Sequence, residues 1–127
     1  MGDLTKNFSR SEFACKCGCG FDDIDLELVG ILQSVRLFLG VPLHVNSGCR
    51  CEAHNEKVGG VANSWHTKGK AADISCELGA KKIWDAARQL YDNGKIQDLK
   101  WCRWYKRKNF VHFDVGKTRN KIFAIQE

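Results

Sequence analysis

The chain has 127 residues, enough for one folding unit that buries roughly two-thirds of its unfolded surface and stands on an apolar core without staples. Twenty Lys and Arg against fifteen Asp and Glu leave a net charge of +5, a surplus that reads as a solvated surface before it reads as a polyanion-binding face. The opening Met1-Gly2-Asp3-Leu4-Thr5-Lys6 has no basic segment leading into an apolar run, and no stretch approaches the ~18 apolar residues of a membrane span, so synthesis in the cytoplasm without a signal peptide is expected.

Ser9-Arg10-Ser11-Glu12 has the form of a capping box and predicts a short helix, stopped by the glycine-rich run Cys15-Lys16-Cys17-Gly18-Cys19-Gly20. Seven cysteines in a chain read as cytosolic are thiols or metal ligands before they are disulfides, and an odd count leaves at least one unpaired. Cys15, Cys17 and Cys19, with the later pair Cys49 and Cys51, form two dense groups. They are open to two readings: a structural cross-link or second metal joining the groups, or small buried apolar side chains. The Cys-x-Cys spacing is tighter than the Cys-x2-Cys of zinc ribbons.

Ile24, Leu28, Ile31, Leu32, Val35, Phe38 and Leu39 recur at helical spacing, with Asp22, Asp23 and Asp25 at the positive end and Gly40 and Pro42 as the stop, which predicts a core helix. Leu43 to Ser47 alternates and reads as a strand that delivers Arg50 to the loop at its end, with His44 on the surface. Residues 52–70 are polar and glycine-rich and are expected to be a loop that shapes a site. Ala71 to Ser75 reads as a second strand, and Gly79 to Tyr91 as a second helix with Ile83, Ala86, Ala87, Leu90 and Tyr91 inward and Gly94 as its stop. Leu99 to Tyr105 and Phe110 to Gly116 flank Lys106-Arg107-Lys108-Asn109 and predict a hairpin with a solvated basic end.

Alternation in the last strand puts Phe110, His112 and Asp114 on one face and Val111, Phe113 and Val115 on the other, the core face. His112 and Asp114 then point toward a cleft, a metal or solvent. Upstream, His66 and Asp73 lie seven residues apart across Gly69, beside the small Ala71 and Ala72. Two histidines and one carboxylate leave a zinc ion one open position, the arrangement a water-activating zinc requires. One catalytic zinc on His66, Asp73 and His112 is therefore expected.

The pattern Ser64-x-His66-x-x-Gly69-x-Ala71-x-Asp73, followed by a strand with a central His112, resembles the zinc D-Ala-D-Ala carboxypeptidase and L-Ala-D-Glu endopeptidase family, which shares its fold with the hedgehog signalling domain. Ser47-Gly48-Cys49-Arg50, His54-Asn55 and Val58-Gly59-Gly60-Val61 are similar to further blocks of its small phage and prophage members, and the resemblance runs from about Leu4 to Gly116. It implies one α+β domain over residues 1–127 of the hedgehog/DD-peptidase type, a small antiparallel sheet with helices on one face and a zinc cleft on the other. It implies an endolysin-like peptidase that cuts a bond in the peptidoglycan stem peptide, acts at the cell wall, and works as a monomer without nucleic acid.

By the same resemblance Arg50 binds substrate and stabilises the oxyanion, and Ser64 touches the substrate backbone. Many members place an acidic proton acceptor three residues before the last His ligand. Here that position is Asn109, which takes no proton. Asp114 is the first candidate to replace it, with orientation of a His ligand as its alternative role, and His54 and Glu52 are further candidates. Cys49 stands where Tyr is common, so Trp65 or Trp104 is expected to supply the missing ring unless these are ordinary core residues. A rival reading is a non-catalytic zinc-containing binding module of the same fold, favoured by Asn109. A cysteine-organised nucleic-acid domain leaves His66, Asp73 and His112 without a purpose.

Overall fold

The computed structural model describes residues 2–127. After a 3-10 turn at Arg10–Phe13, the elements are α1 (Leu26–Leu39), β1 (Leu43–Ser47), α2 (Glu52–Lys57), a second 3-10 turn at Trp65–Lys68, β2 (Ala71–Cys76), α3 (Ala80–Asp92), β3 (Trp101–Tyr105), β4 (Phe110–Asp114) and β5 (Phe123–Gln126). The first 3-10 turn has its capping box, with Ser9 N donating to Glu12 Oε2 at 2.7 Å.

Asp25 caps α1 by accepting from Glu27 N, and Gly40 closes it in the left-handed region at φ 73°. The helix differs from its expected pattern at both ends. Ile24 precedes the cap and is buried as part of the core without being helical. Phe38 is 47% exposed, because buried Val29 shifts the inward arc of the helix and leaves Phe38 beyond its edge.

The strands form a five-stranded sheet in the order β1-β2-β4-β3-β5. The first three pairings are antiparallel as expected, whereas β5 runs parallel to β3, pairing Cys102 with Phe123 through Tyr105 with Gln126, so the sheet is mixed. This edge strand is four residues long, with Phe123 buried and Ile125 exposed along the same face, too short for alternation to announce it. The second departure lies in residues 52–70, where α2 and a 3-10 turn stand in place of an irregular loop. Side-chain caps hold both: Cys51 Sγ accepts from His54 N, and Ser64 Oγ from His66 N.

Helix α3 packs on β2, β3 and β4, and α1 packs on α3. Between them lie Ala72, Ile74, Cys102, Val111 and Phe113, all fully buried, with Ile83, Ala86 and Ala87 of α3 against them. Each fully buried aliphatic or aromatic side chain of this kind contributes about 1.5–3 kcal/mol. With that face committed to helices, the alternate residues of β2 and β4 are left on the open face.

The turn into β2 is held by the start of α1. Asp25 N donates to Gly69 O at 2.7 Å, and Lys70 Nζ meets Asp25 Oδ2 at 2.7 Å. Gly69 has φ +69°, and a Cβ there would collide with the backbone carbonyl of Asp23. Gly69→Ala therefore combines left-handed strain with overpacking and is expected to cost about 2–4 kcal/mol, read as a lowered urea midpoint at unchanged m-value. An unchanged midpoint would show that the contact between this turn and α1 is dispensable.

Candidate metal centre and cleft

The pairing of β2 with β4 sets Asp73 directly opposite His112, and the pairing of β1 with β2 sets Ser47 opposite Asp73 beyond a bulge after Val45. His66 comes from the 3-10 turn just before β2, and the three side chains meet on the open face. Asp73 Oδ1 lies 2.9 Å from His112 Nδ1 and 3.4 Å from His66 Nε2. One donor atom from each residue falls within 4.8 Å of the others.

Each imidazole is oriented from behind. His66 Nδ1 is 2.7 Å from the carbonyl of Gly48 and so donates to it, which leaves Nε2 as the lone-pair nitrogen facing Asp73. That atom is buried with no hydrogen-bond partner among the described residues, which suits a nitrogen aimed at a metal. His112 directs Nε2 to Asp114 Oδ2 at 2.8 Å and turns Nδ1 toward Asp73. The donor set therefore fits a zinc ion held by His66, Asp73 and His112. Gly48 permits the contact with His66 because a Cβ there would press on the Phe13 backbone, 2.7 Å from its carbonyl oxygen.

The charges follow from this packing. Burial pushes the Asp73 carboxyl up, but the hydrogen bond from His112 and the electrostatic influence of the adjacent imidazoles outweigh it and hold the group well below the usual carboxylate range. Burial pulls His112 down, but the carboxylates of Asp114 and Asp73 outweigh that and raise it to about 9.

Arg50 lies at the edge of this cluster. Its Nε donates to Ser47 Oγ at 3.2 Å, one terminal nitrogen donates to Asn55 Oδ1 at 2.8 Å, and the other is 3.8 Å from Asp73 Oδ2. Burial lowers its pKa, partly offset by Asp73. Buried Asn55 also donates to the Val61 carbonyl, so one side chain on α2 ties Arg50 to the turn at Gly59 and Gly60. Gly60 must lack a side chain because a Cβ would strike the Asn55 amide.

Around these residues opens a cleft of about 550 Å³ whose walls include Lys16, His54, Ser64, Tyr105, Lys108 and Phe110. Asp73 is the one carboxylate among its described lining residues. Ser64 reaches the cleft while its Oγ caps the turn that carries His66. Glu52 faces a separate depression beside Asn55 and Thr67. Asp114 is 1% exposed and lies behind His112, bonded also by the Gly116 amide at 3.4 Å.

Asn109 is turned away. In the left-handed region at φ 56°, it ends the hairpin turn and its Oδ1 accepts from Ala80 N at 2.9 Å, capping α3, whose own N-cap is Gly79. The expected aromatic contacts also differ. Trp65 lies against Gly116 and Trp104 packs on Trp84, while the cleft wall is Tyr105 stacked on Phe110 at 4.7 Å. Strand alternation already put Phe110 on the face of His112, but Tyr105 and Asn55 depend on how the hairpin and α2 fold back.

Cys15, Cys17, Cys19 and Cys51 bring their sulfurs together in a second group, and no disulfide joins any of the seven cysteines. Cys49 lies apart from them in the core, where burial and the charges of Asp22 and Asp23 push its thiol up to about 11.

A family model described as Peptidase M15 matches residues 6–114. No curated protein matches the chain at a significant level.

In the metal-free centre the His112 imidazole is protonated at neutral pH, so a metal taken at Nδ1 displaces one proton. Zinc affinity is accordingly expected to be full above about pH 9 and to fall about tenfold per unit below it. Calorimetry in buffers of different ionisation heat should count about one proton released per zinc near neutral pH. An affinity flat from about pH 7 to 9, with no proton released, would show that the metal does not displace a proton held by His112.

Proposed function

The chain belongs to the peptidase M15 family, and on that premise we propose that it is a zinc peptidase hydrolysing a peptide bond in the stem of bacterial peptidoglycan, acting at the cell wall in the manner of a phage endolysin. The observation that carries this reading is the unpartnered Nε2 of His66, aimed with Asp73 and His112 at the floor of a cationic cleft. Zinc bound by His66, Asp73 and His112 would supply a Lewis acid and lower the pKa of water to about 7.

The remaining work falls to the chain's own groups. Lys16, Arg50 and Lys108 give the cleft a positive lining that suits a peptide carrying free carboxylates, as the stem does. Val58, 54% exposed, and Val61, 74% exposed, offer apolar contacts at the rim for small side chains. Arg50, held by Ser47 and Asn55, presents its guanidinium beside Asp73, where it can pair with an oxyanion or a terminal carboxylate. Tyr105 and Phe110 form a flat wall against which the backbone can lie.

Asp114 suits the second of its two expected roles. Its carboxylate is occupied by His112 Nε2 and the Gly116 amide, so it positions the ligand and fixes its tautomer. His54, the imidazole in the cleft outside the ligand set, is the better proton acceptor: a ring nitrogen takes the proton from attacking water and returns it to the leaving amine.

Digestion of purified peptidoglycan, followed by mass analysis, is expected to release stem-peptide fragments that disappear with a chelator and return with zinc. Cleavage indifferent to chelation would overturn the mechanism. Intact peptidoglycan after treatment with the zinc-loaded chain would favour a non-catalytic binding module. The two proton-handling roles separate in variants. Asp114→Asn should weaken zinc affinity about 10- to 100-fold and recover turnover at saturating zinc. His54→Gln should keep zinc affinity and lose about 100-fold or more in turnover, with the limb of its pH profile displaced. The reverse pattern would return the acceptor role to Asp114.

A further inference from the structure

Nothing in the cleft chemistry uses the four sulfurs of Cys15, Cys17, Cys19 and Cys51, which gather within 4.8 Å of one another. We propose that these four residues form a second metal site, a mononuclear tetrathiolate centre that takes zinc and anchors the wall carrying Arg50. The inference stands independently of whether the cleft hydrolyses peptides.

Sulfur spacing is the first argument. Cys15 Sγ is 3.4 Å from Cys17 Sγ and 3.9 Å from Cys51 Sγ, and Cys17 and Cys51 are 3.5 Å apart. A tetrahedral zinc with Zn–S bonds of about 2.3 Å sets its sulfurs about 3.8 Å apart. An iron–sulfur cluster, whose cysteines ligate different irons, would hold them farther apart.

Exposure is the second. Cys17 and Cys19 are exposed, so they do not belong to the core and the reading as small core residues fails for them. Cys49, which is 1% exposed in the core, meets that reading well and is not one of the four.

The backbone is arranged for the same end. Gly18 and Gly20 take φ of 82° and 93°, and Gly18 N donates to the Cys15 carbonyl at 3.2 Å, so the segment curls around its own sulfurs. Cys15 N donates to Phe21 O at 2.8 Å and closes the base of the loop. Two amides point at sulfur, Cys51 N at Cys15 Sγ and His54 N at Cys51 Sγ, each at 3.4 Å, which favours thiolates over thiols. Four soft sulfur donors in a closed tetrahedron select zinc over hard cations and leave no open position for substrate.

Binding forms four Zn–S bonds, and the thiol protons pass to solvent, leaving one dication on four thiolates. The loop at residues 15–20 is thereby joined to Cys51, the neighbour of Arg50 and the cap of α2. That join holds Lys16, Arg50 and His54 in one wall of the cleft.

The test is elemental analysis of the full chain purified from zinc-supplemented culture. Two zinc ions per chain are expected. His66→Ala combined with His112→Ala should retain one, and Cys19→Ser should also retain one, lost from the other site. Cobalt reconstitution of the unaltered chain provides a readout that needs no variant. An intense thiolate-to-cobalt charge-transfer band is expected, and it should persist in the double histidine variant. The proposal is overturned if the unaltered chain holds a single zinc while Cys17 and Cys19, the exposed members of the four, react freely in the folded state. A disulfide among the four cysteines, or iron bound in place of zinc, would overturn it equally.

Discussion

One largely enclosed carboxylate, Asp73, with its side chain 15% exposed, sets the terms for the open face of this sheet. An ionised group so enclosed costs several kcal/mol unless charge and hydrogen bonds surround it, and here two imidazoles and a guanidinium do so. Their positions are consequences of strand pairing: Asp73 faces His112 across β2 and β4, and Ser47, which steadies Arg50, faces Asp73 across β1 and β2. Because side chains alternate along a strand, a slip of one residue in β2 would send Asp73 into the core and Ile74 into the cleft. Register and chemistry are thus fixed together, and the same carboxylate that balances the surrounding imidazoles and guanidinium is the one a metal would use.

The members of the cluster are each oriented by a group outside the candidate ligand set. His66 is turned by the Gly48 carbonyl, His112 by Asp114, and Arg50 by Asn55. This supporting layer explains residue choices that look incidental in the chain. Gly48 is small because the Phe13 backbone passes close to it, and Gly60 because the Asn55 amide occupies the space of a side chain. Metal-binding histidines depend on such partners for tautomer and aim, so the supports share in the function without touching a substrate.

The residues that were legible in the sequence share a property: their placement follows from local geometry. Period two in β4 put His112 and Asp114 on the face opposite Val111 and Phe113, and helical spacing marked α1 and α3. Two members of the candidate ligand set, His66 and Asp73, were legible as neighbours because a histidine and a carboxylate separated by a glycine turn carry their relation within ten residues. Hidden residues owe their roles to distant partners. Asn109 looked like a missing acid, yet it caps α3 from across the fold. Tyr105 enters the cleft because β3 pairs with β4 and stacks it on Phe110. The brief α2 and β5 were invisible for another reason: six and four residues are too few for a period to emerge from a polar background.

The same shortness bears on how the cleft holds its shape. The cleft-lining groups proposed to meet substrate come from its least regular parts, the loop at Lys16, the six-residue α2 with His54 and the hairpin end with Lys108, while the candidate ligands rest on β2, β4 and the turn between Ser64 and Gly69. A six-residue helix is far below the length at which a helix is stable alone, so α2 exists through its anchors. Asn55 secures its middle to the Val61 carbonyl, and Cys51 secures its start beside the cysteine loop. The hairpin end is secured in turn through Asn109. An oxyanion clamp works only if its donors are in place before charge develops, since reorganisation would consume the stabilisation it offers. Rigidity of the Arg50 wall therefore has to come from side-chain anchors, and the two at α2 both follow Arg50 within five residues, one polar at Asn55 and one of sulfur at Cys51.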